Sequence, residues 1–196
     1  FEALADPVMQ YEERAEWGGR SFPWNLEPSA ELDEVWSDFL WSLNVRVSED
    51  EMDLLNETRK NRVRVTGGGY AATMGVTHQM HCLNNLRRLI HWDHYQPRLA
   101  NMSTHEASAF TKEHSDHCID SIRQSLMCKA NTNMYMLEWP EVREGESRPE
   151  LPSQNVVSHS TSTCVNWDLL DAWARKRALI PGHFHYLWVP TKPMHD

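Results

Sequence analysis

The feature that most constrains this chain is a motif that occurs twice. It reads His78-Gln79-Met80-His81-Cys82 and again His114-Ser115-Asp116-His117-Cys118, both H-x-x-H-C and 36 residues apart. On an α-helix, positions i, i+3 and i+4 fall on one face, one turn apart. Two such helices packed face to face bring four imidazoles together and set the two thiols close to one another. Such a cluster suits a metal ion better than an apolar core, because neutral imidazole is a common ligand of Cu, Zn, Fe and Ni. One H-x-x-H is a weak signal, and helical histidines also cap or hydrogen-bond within cores. The doubling in one small chain favours metal binding at His78, His81, His114 and His117.

The rest of the chain reads as support for these two helices. A length of 196 residues suits one domain with a sizeable core. Residues 1–29, with Pro7, Gly18, Gly19, Pro23 and Pro28 among many charges, read as an irregular arm or linker on the surface. Residues 30–190 read as the domain itself, mainly α with a few short β-strands. Ser29 is a plausible N-cap for a helix carrying Leu32, Val35, Trp36, Phe39 and Leu40 at helical spacing. Ser48 before Glu49-Asp50-Glu51 opens a second, shorter helix. Val63, Val65 and Gly67-Gly68-Gly69-Tyr70 read as a strand pair around a tight turn; without a following Lys-Ser/Thr the glycines are no phosphate loop.

The first motif helix is expected from residue 76 to about 91, with Leu83, Leu86, Leu89 and Ile90 on its buried side and Arg87-Arg88 facing out. The second is expected over residues 104 to 128. His94 and Tyr95 are placed at a pocket mouth. Met134 to Leu137 reads as a possible strand, and residues 141–150 as a charged loop. Asn166-Trp167-Asp168 leads into a last helix ending at Arg175-Lys176-Arg177, where cations suit the helix dipole. His159, His183 and His185 read as surface or tail residues. Glu113 and Asp116 stand beside the second motif, either orienting imidazoles or as ordinary surface acids.

A net charge of −9 argues against nucleic acid or an anionic membrane as the main partner. Four cysteines permit two disulfides, and Asn56-Glu57-Thr58 and Asn101-Met102-Ser103 are glycosylation acceptors at Asn56 and Asn101. Together these tilt the reading toward an oxidising, secretory compartment. The thiols have two alternative uses. Cys82 and Cys118 as thiolates with two histidines would make a structural zinc site. Paired with each other or with Cys128 and Cys164, they would leave the histidines as nitrogen ligands, which favours copper. Local logic pairs Cys82 with Cys118, pinning the motif helices, and Cys128 with Cys164, stapling the last helix back.

The segments His78-Gln79-Met80-His81-Cys82-Leu83-Asn84 with Arg87, and His117-Cys118-Ile119-Asp120 with Arg123-Gln124-Ser125-Leu126-Met127-Cys128, resemble the UstYa-like family of fungal secondary-metabolite oxidases. So do Asp33 to Trp36, Gly67 to Tyr70 and Cys164 to Trp173, and the resemblance spans roughly residues 30 to 175. It implies a copper-dependent oxidoreductase (iron and zinc being the alternatives) that functionalises a C–H bond of a small-molecule or peptide natural product by hydroxylation, desaturation, oxidative cyclisation or halogenation. It implies His78, His81, His114 and His117 as the metal and catalytic residues, and supports a Cys128–Cys164 disulfide. It also implies a lumenal domain of a single-pass membrane protein of the secretory pathway, its anchor preceding this chain, and allows a homo- or hetero-oligomer with a homologue. The alternatives are a non-catalytic metal-bearing partner of an active homologue, or a secreted binding domain with structural zinc. One departure stands out. The family often has a histidine two residues before the cysteine matching Cys164, where this chain has Ser162, its nearest histidine being His159.

Overall fold

A computed structural model describes residues 2–5, 8–15, 24, 26–101, 107–132, 134, 139, 142–147 and 161–187. Helix α1 spans Glu2–Ala5 and strand β1 Tyr11–Ala15. Helix α2, Ala30–Phe39, begins where the sequence places it, with Ser29 Oγ accepting from the Leu32 amide. Strand β2, Asn44–Val47, runs into α3, Glu49–Leu54. That helix opens with a reciprocal capping box between Ser48 and Glu51. Strands β3, Arg64–Val65, and β4, Tyr70–Thr73, flank the glycine turn. Gly69 adopts φ +80° there, and a Cβ added to it would lie 2.5 Å from the Val47 carbonyl oxygen, so this position takes only glycine.

The two motif helices follow: α4, Gly75–Ile90, and, after α5, Trp92–Tyr95, and a 3₁₀ helix, Gln96–Asn101, helix α6, Lys112–Cys128. The second motif helix therefore starts at Lys112, capped by Thr111, not at residue 104. Strand β5, Thr161–Val165, helix α7, Trp167–Arg175, and strand β6, Tyr186–Leu187, complete the described chain.

The expected few strands form two antiparallel sheets, so the architecture is mixed α/β instead of mainly α. One sheet has the order β2-β4-β3-β6. The other pairs β1 with β5, Tyr11 opposite Val165 through Ala15 opposite Thr161. Part of the segment read as an irregular arm is thus a strand, and Leu4 and Ala5 are buried. Alternation in Tyr11–Ala15 is masked by its charges, which removes the sequence signal for a strand.

The core lies where α7 crosses the larger sheet. Leu4, Val47, Met52 and Tyr70 form one cluster and Val45, Met74 and Ala174 another, with Trp173 packed against both. Asp33 on α2 fixes α4 in place. It accepts from Arg87 Nη2 at 2.7 Å, from the fully buried Tyr95 hydroxyl at 2.6 Å and from Arg98 Nη1 at 3.1 Å. Burial opposes ionisation of Asp33, but the Tyr95 and Arg87 hydrogen bonds outweigh it and hold its carboxyl below the usual range. Arg87, expected outside, is only 10% exposed, whereas Leu83 and Ile90, expected inside, are 45% and 80% exposed. Tyr95, expected at a pocket mouth, is a core residue.

Candidate metal centre

Helices α4 and α6 pack along their motif faces. The His78 and His117 rings lie 5.4 Å apart between centroids, and those of His81 and His114 lie 5.9 Å apart. The first histidine of each copy meets the second of the other, so the helices run antiparallel. Exchanging the two copies maps one contact onto the other, which gives the pair an approximate two-fold axis. Within each copy the rings stand 6.5 Å apart, His78 to His81, and 6.2 Å apart, His114 to His117. All four predicted histidines therefore form one closed ring of imidazoles.

The environment keeps two of them neutral. Burial lowers the pKa of His78, helped by the neighbouring His117 and His114; burial also lowers that of His81, helped by His114, His78 and Arg88. Neutral imidazole has a free ring lone pair, the form that binds metals. Among the described residues, His114 Nε2 is buried without a hydrogen-bond partner. An orphaned buried nitrogen is costly unless something ligates it, and a metal would do so. On the other side, Ser121 Oγ lies 3.4 Å from His78 Nδ1 and orients that ring.

Cys82 also belongs to the cluster. A nitrogen of His78, a nitrogen of His117 and the Cys82 sulfur all lie within 4.8 Å of one another. Cys82 and Cys118 are fully buried, Cys128 is exposed and Cys164 half-buried, and the four stand as free thiols. Burial pushes the Cys118 thiol up to about 12, and its hydrogen bond with Cys82 adds to the shift. The donors fit a metal of the Cu, Zn or Fe class.

The other predicted residues lie apart from the ring. Asn56 is exposed with a positive φ of 52°; the side chain of Asn101 lies outside the described residues, as do His159 and Tyr135 to Leu137. Glu113 is exposed, and Asp116 pairs with Lys112 instead of orienting an imidazole. His183 and His185 are exposed on the last segment. Ser162, standing where the resemblance expects a histidine, is in β5 opposite Arg14. Arg88 and Ser121, next to the ring, carried no motif signal of their own.

Two cavities flank these helices. A polar groove of about 480 Å³ includes His117 among its lining residues, with Gln79, Ser121 and Gln124. A larger apolar trough of about 1060 Å³ lies against the opposite face of α4, between Met80, Leu83 and Ile90 and the rings of Trp24, Trp36 and Trp167. None of the four motif histidines lines the trough.

The family model described as mycotoxin biosynthesis protein UstYa matches residues 2–177. The chain is 27% identical over 168 residues to the UstYa family oxidase phomYc of Diaporthe leptostromiformis, covering 83% of this chain and 61% of the relative. It is 26% identical over 173 residues to the UstYa family oxidase aprY of Aspergillus flavus, covering 84% of this chain and 49% of the relative. With VicYc of Bipolaris victoriae, also a UstYa family oxidase, it shares 32% identity over 104 residues, or 53% of this chain and 88% of the relative. The chain spans about half the length of several of the relatives it matches. No solved structure matches it. With the family model covering nearly the whole chain, the protein belongs to the UstYa family.

Proposed function

We propose that this chain is a copper-dependent oxidoreductase that functionalises a C–H bond of a fungal secondary metabolite or ribosomal peptide, by hydroxylation, desaturation, oxidative cyclisation or halogenation. The observation that carries the reading is the closed ring of four imidazoles with one buried, unpartnered nitrogen at His114. The relatives' names as oxidases support the redox class. His78, His81, His114 and His117 would hold the metal. Bound copper supplies one-electron redox chemistry toward an oxygen-derived oxidant.

The chain's own residues do the remaining work. Burial keeps His78 and His81 unprotonated, so protons do not compete for their nitrogens. Ser121 fixes the His78 ring by its contact with Nδ1. Antiparallel packing sets His78 against His117 and His81 against His114, so ligands from both copies stay matched. In an oxidising lumen Cys82–Cys118 and Cys128–Cys164 would close as disulfides, each stabilising by roughly 2–4 kcal/mol. The same setting would glycosylate Asn56 and Asn101, with the domain lumenal in a membrane-anchored protein. A homo- or hetero-oligomer with a homologue fits the proposal equally.

The test is metal analysis of the purified domain, with EPR after Cu(II) loading. Near-stoichiometric copper with a nitrogen-ligated signal, lost in a His78→Ala/His117→Ala variant, supports the reading. Absence of copper from a folded wild type overturns it. A second reading, structural zinc with a thiolate, is favoured by one observation: Cys82 stands within ligand reach of His78 and His117. Alkylation mass spectrometry separates the two, since zinc requires Cys82 reduced and protected only while metal is bound.

A further inference from the structure

The approximate two-fold axis makes the two ends of the imidazole ring comparable residue by residue, because equivalent positions differ by 36 in number. At the end where α6 finishes, Ser121, Gln124, Ser125 and Cys128 line the polar groove with Gln79 and His117. Their equivalents are Asn85, Arg88 and Leu89 on α4 and Trp92 at the start of α5. Three of these are held in contacts of their own. Asn85 is buried and donates to the Ala109 carbonyl at 2.7 Å. Arg88 is stacked between Phe110 at 4.8 Å and Tyr95 at 5.0 Å. Trp92 packs on Phe110 with ring centroids 5.8 Å apart. Helix α5 and residues 107–110 thus close one end of a symmetric site, leaving the His114 Nε2 buried, while His117 at the other end is exposed.

We infer that substrate reaches the histidine ring only from the His117 end, along the groove between Gln79 and the C-terminal half of α6, and that this groove recognises a segment bearing amide donors and acceptors. The inference rests on the metal-site reading above and adds to it the direction of approach and the residues that select. Besides His117 and the Cys128 sulfur, the groove is lined by two amides, Gln79 and Gln124, two hydroxyls, Ser121 and Ser125, and one charge of each sign, Asp120 and Lys129. A glutamine side chain offers both a carbonyl acceptor and an N–H₂ donor, the complement of an amide chain. Gln124 Nε2 already donates to Asp120 Oδ2 at 2.5 Å, and an apolar ring would still desolvate Gln79, Asp120 and Lys129, which disfavours it. The apolar trough is excluded as the reaction chamber because α4 itself stands between it and the ring.

The experiment uses Cu(II)-loaded protein with azide as the probe of an accessible coordination position, read by EPR and absorption. Gln124 is exposed, so Gln124→Trp obstructs the groove without entering the core; Ser125→Leu is the second variant, and Leu83→Trp in the trough is the control. The expected result is a tenfold or greater loss of azide affinity in both groove variants, an unchanged copper signal, and wild-type affinity in the control. Unchanged azide binding in the groove variants, equal loss in the control, or no azide response in the copper-loaded wild type overturns the inference. Acetyl-trialanine amide should compete with azide in the wild type and cease to do so in Gln79→Leu/Gln124→Leu; no competition in the wild type overturns the amide preference. If no copper binds, the metal reading fails separately, and diethylpyrocarbonate labelling of the metal-free protein still decides the route. His117 should then label at least tenfold faster than His114 and be slowed by Gln124→Trp, whereas equal labelling of the two overturns it.

Discussion

Replacing Asp33 with alanine should unsettle the metal helices from a distance. The carboxylate accepts from three donors on three successive elements: Arg87 of α4 at 2.7 Å, Tyr95 of α5 at 2.6 Å and Arg98 of the 3₁₀ helix at 3.1 Å. The Arg98 contact is about half exposed and contributes little. Arg87 differs, because its side chain is only 10% exposed and, among the described residues, its Nη1 has no hydrogen-bond partner even with Asp33 in place. Asp33→Ala leaves that guanidinium uncompensated, a change that costs about 3–5 kcal/mol when the pair is fully buried. Asp33 is itself 29% exposed, so water replaces part of the loss and about 3 kcal/mol is the expected value. In a chain of this length that lowers Tm by about 6–12 °C. Urea melts of wild type, Asp33→Ala, Arg87→Met and the double variant measure it, and the double variant should be less than additive. The sign of the pH dependence follows from the depressed Asp33 pKa. Its stabilisation is complete above the unfolded value of about 3.9 and is lost as pH falls through the folded one, so wild type and Asp33→Ala converge in acid. A loss below about 1 kcal/mol at pH 7, or a gap that persists at pH 2, would refute the reasoning.

Other consequences are open to the same kind of measurement. Ser29→Ala removes the α2 cap and should cost about 1 kcal/mol, with the melt's denaturant slope unchanged. Gly69→Ala meets the Val47 carbonyl at 2.5 Å and should cost clearly more than Gly68→Ala, which keeps a positive φ but meets open space; about 1 kcal/mol is expected at Gly68. Equal losses at the two positions would remove the steric argument. In metal-free protein the lowered His78 and His81 pKa values mean that the unfolded chain binds more protons. Stability should be complete above about pH 6.5 and decline as pH falls below it, and His78→Gln should flatten that decline in a stability–pH profile.

The parts of the fold legible in the sequence were those set by short-range chemistry. Ser29 and Ser48 announce helix starts through side-chain oxygens that reach an amide three residues on, and three successive glycines announce a turn that needs positive φ. The histidine ring was legible for the same reason, since spacing within each copy fixes its face and the duplication supplies the partner. What was lost is what helical periodicity cannot rank. Helix α4 has apolar residues around much of its circumference, so Leu83 and Ile90 looked inward and Arg87 outward. The inversion is decided by Asp33, 54 residues away along the chain. Strand β1 was hidden likewise, since its partner β5 lies some 150 residues on and its own composition is mostly charged.

The same distinction explains why a repeated motif yields an unequal site. Two identical H-x-x-H-C faces packed antiparallel would, on their own, present two equal openings to the imidazoles. The residues about two and three turns beyond each motif are not repeated: Arg88 stands where the other copy has Gln124, and Trp92 where it has Cys128. Arg88 and Trp92 draw Phe110 and Tyr95 over their end, and the charge of Arg88 further depresses the pKa of His81. Exchanging that asymmetry is therefore a direct test of what closes the site. Arg88→Gln removes the cation held between Tyr95 and Phe110, so it should raise the His81 pKa in an NMR titration of the metal-free protein and speed exchange at the amides of residues 107–110. His78, beside Ser121 at the open end, should titrate as before. Should His78 and His81 move together, the two ends are electrostatically one site, and the division into a closed and an open half fails.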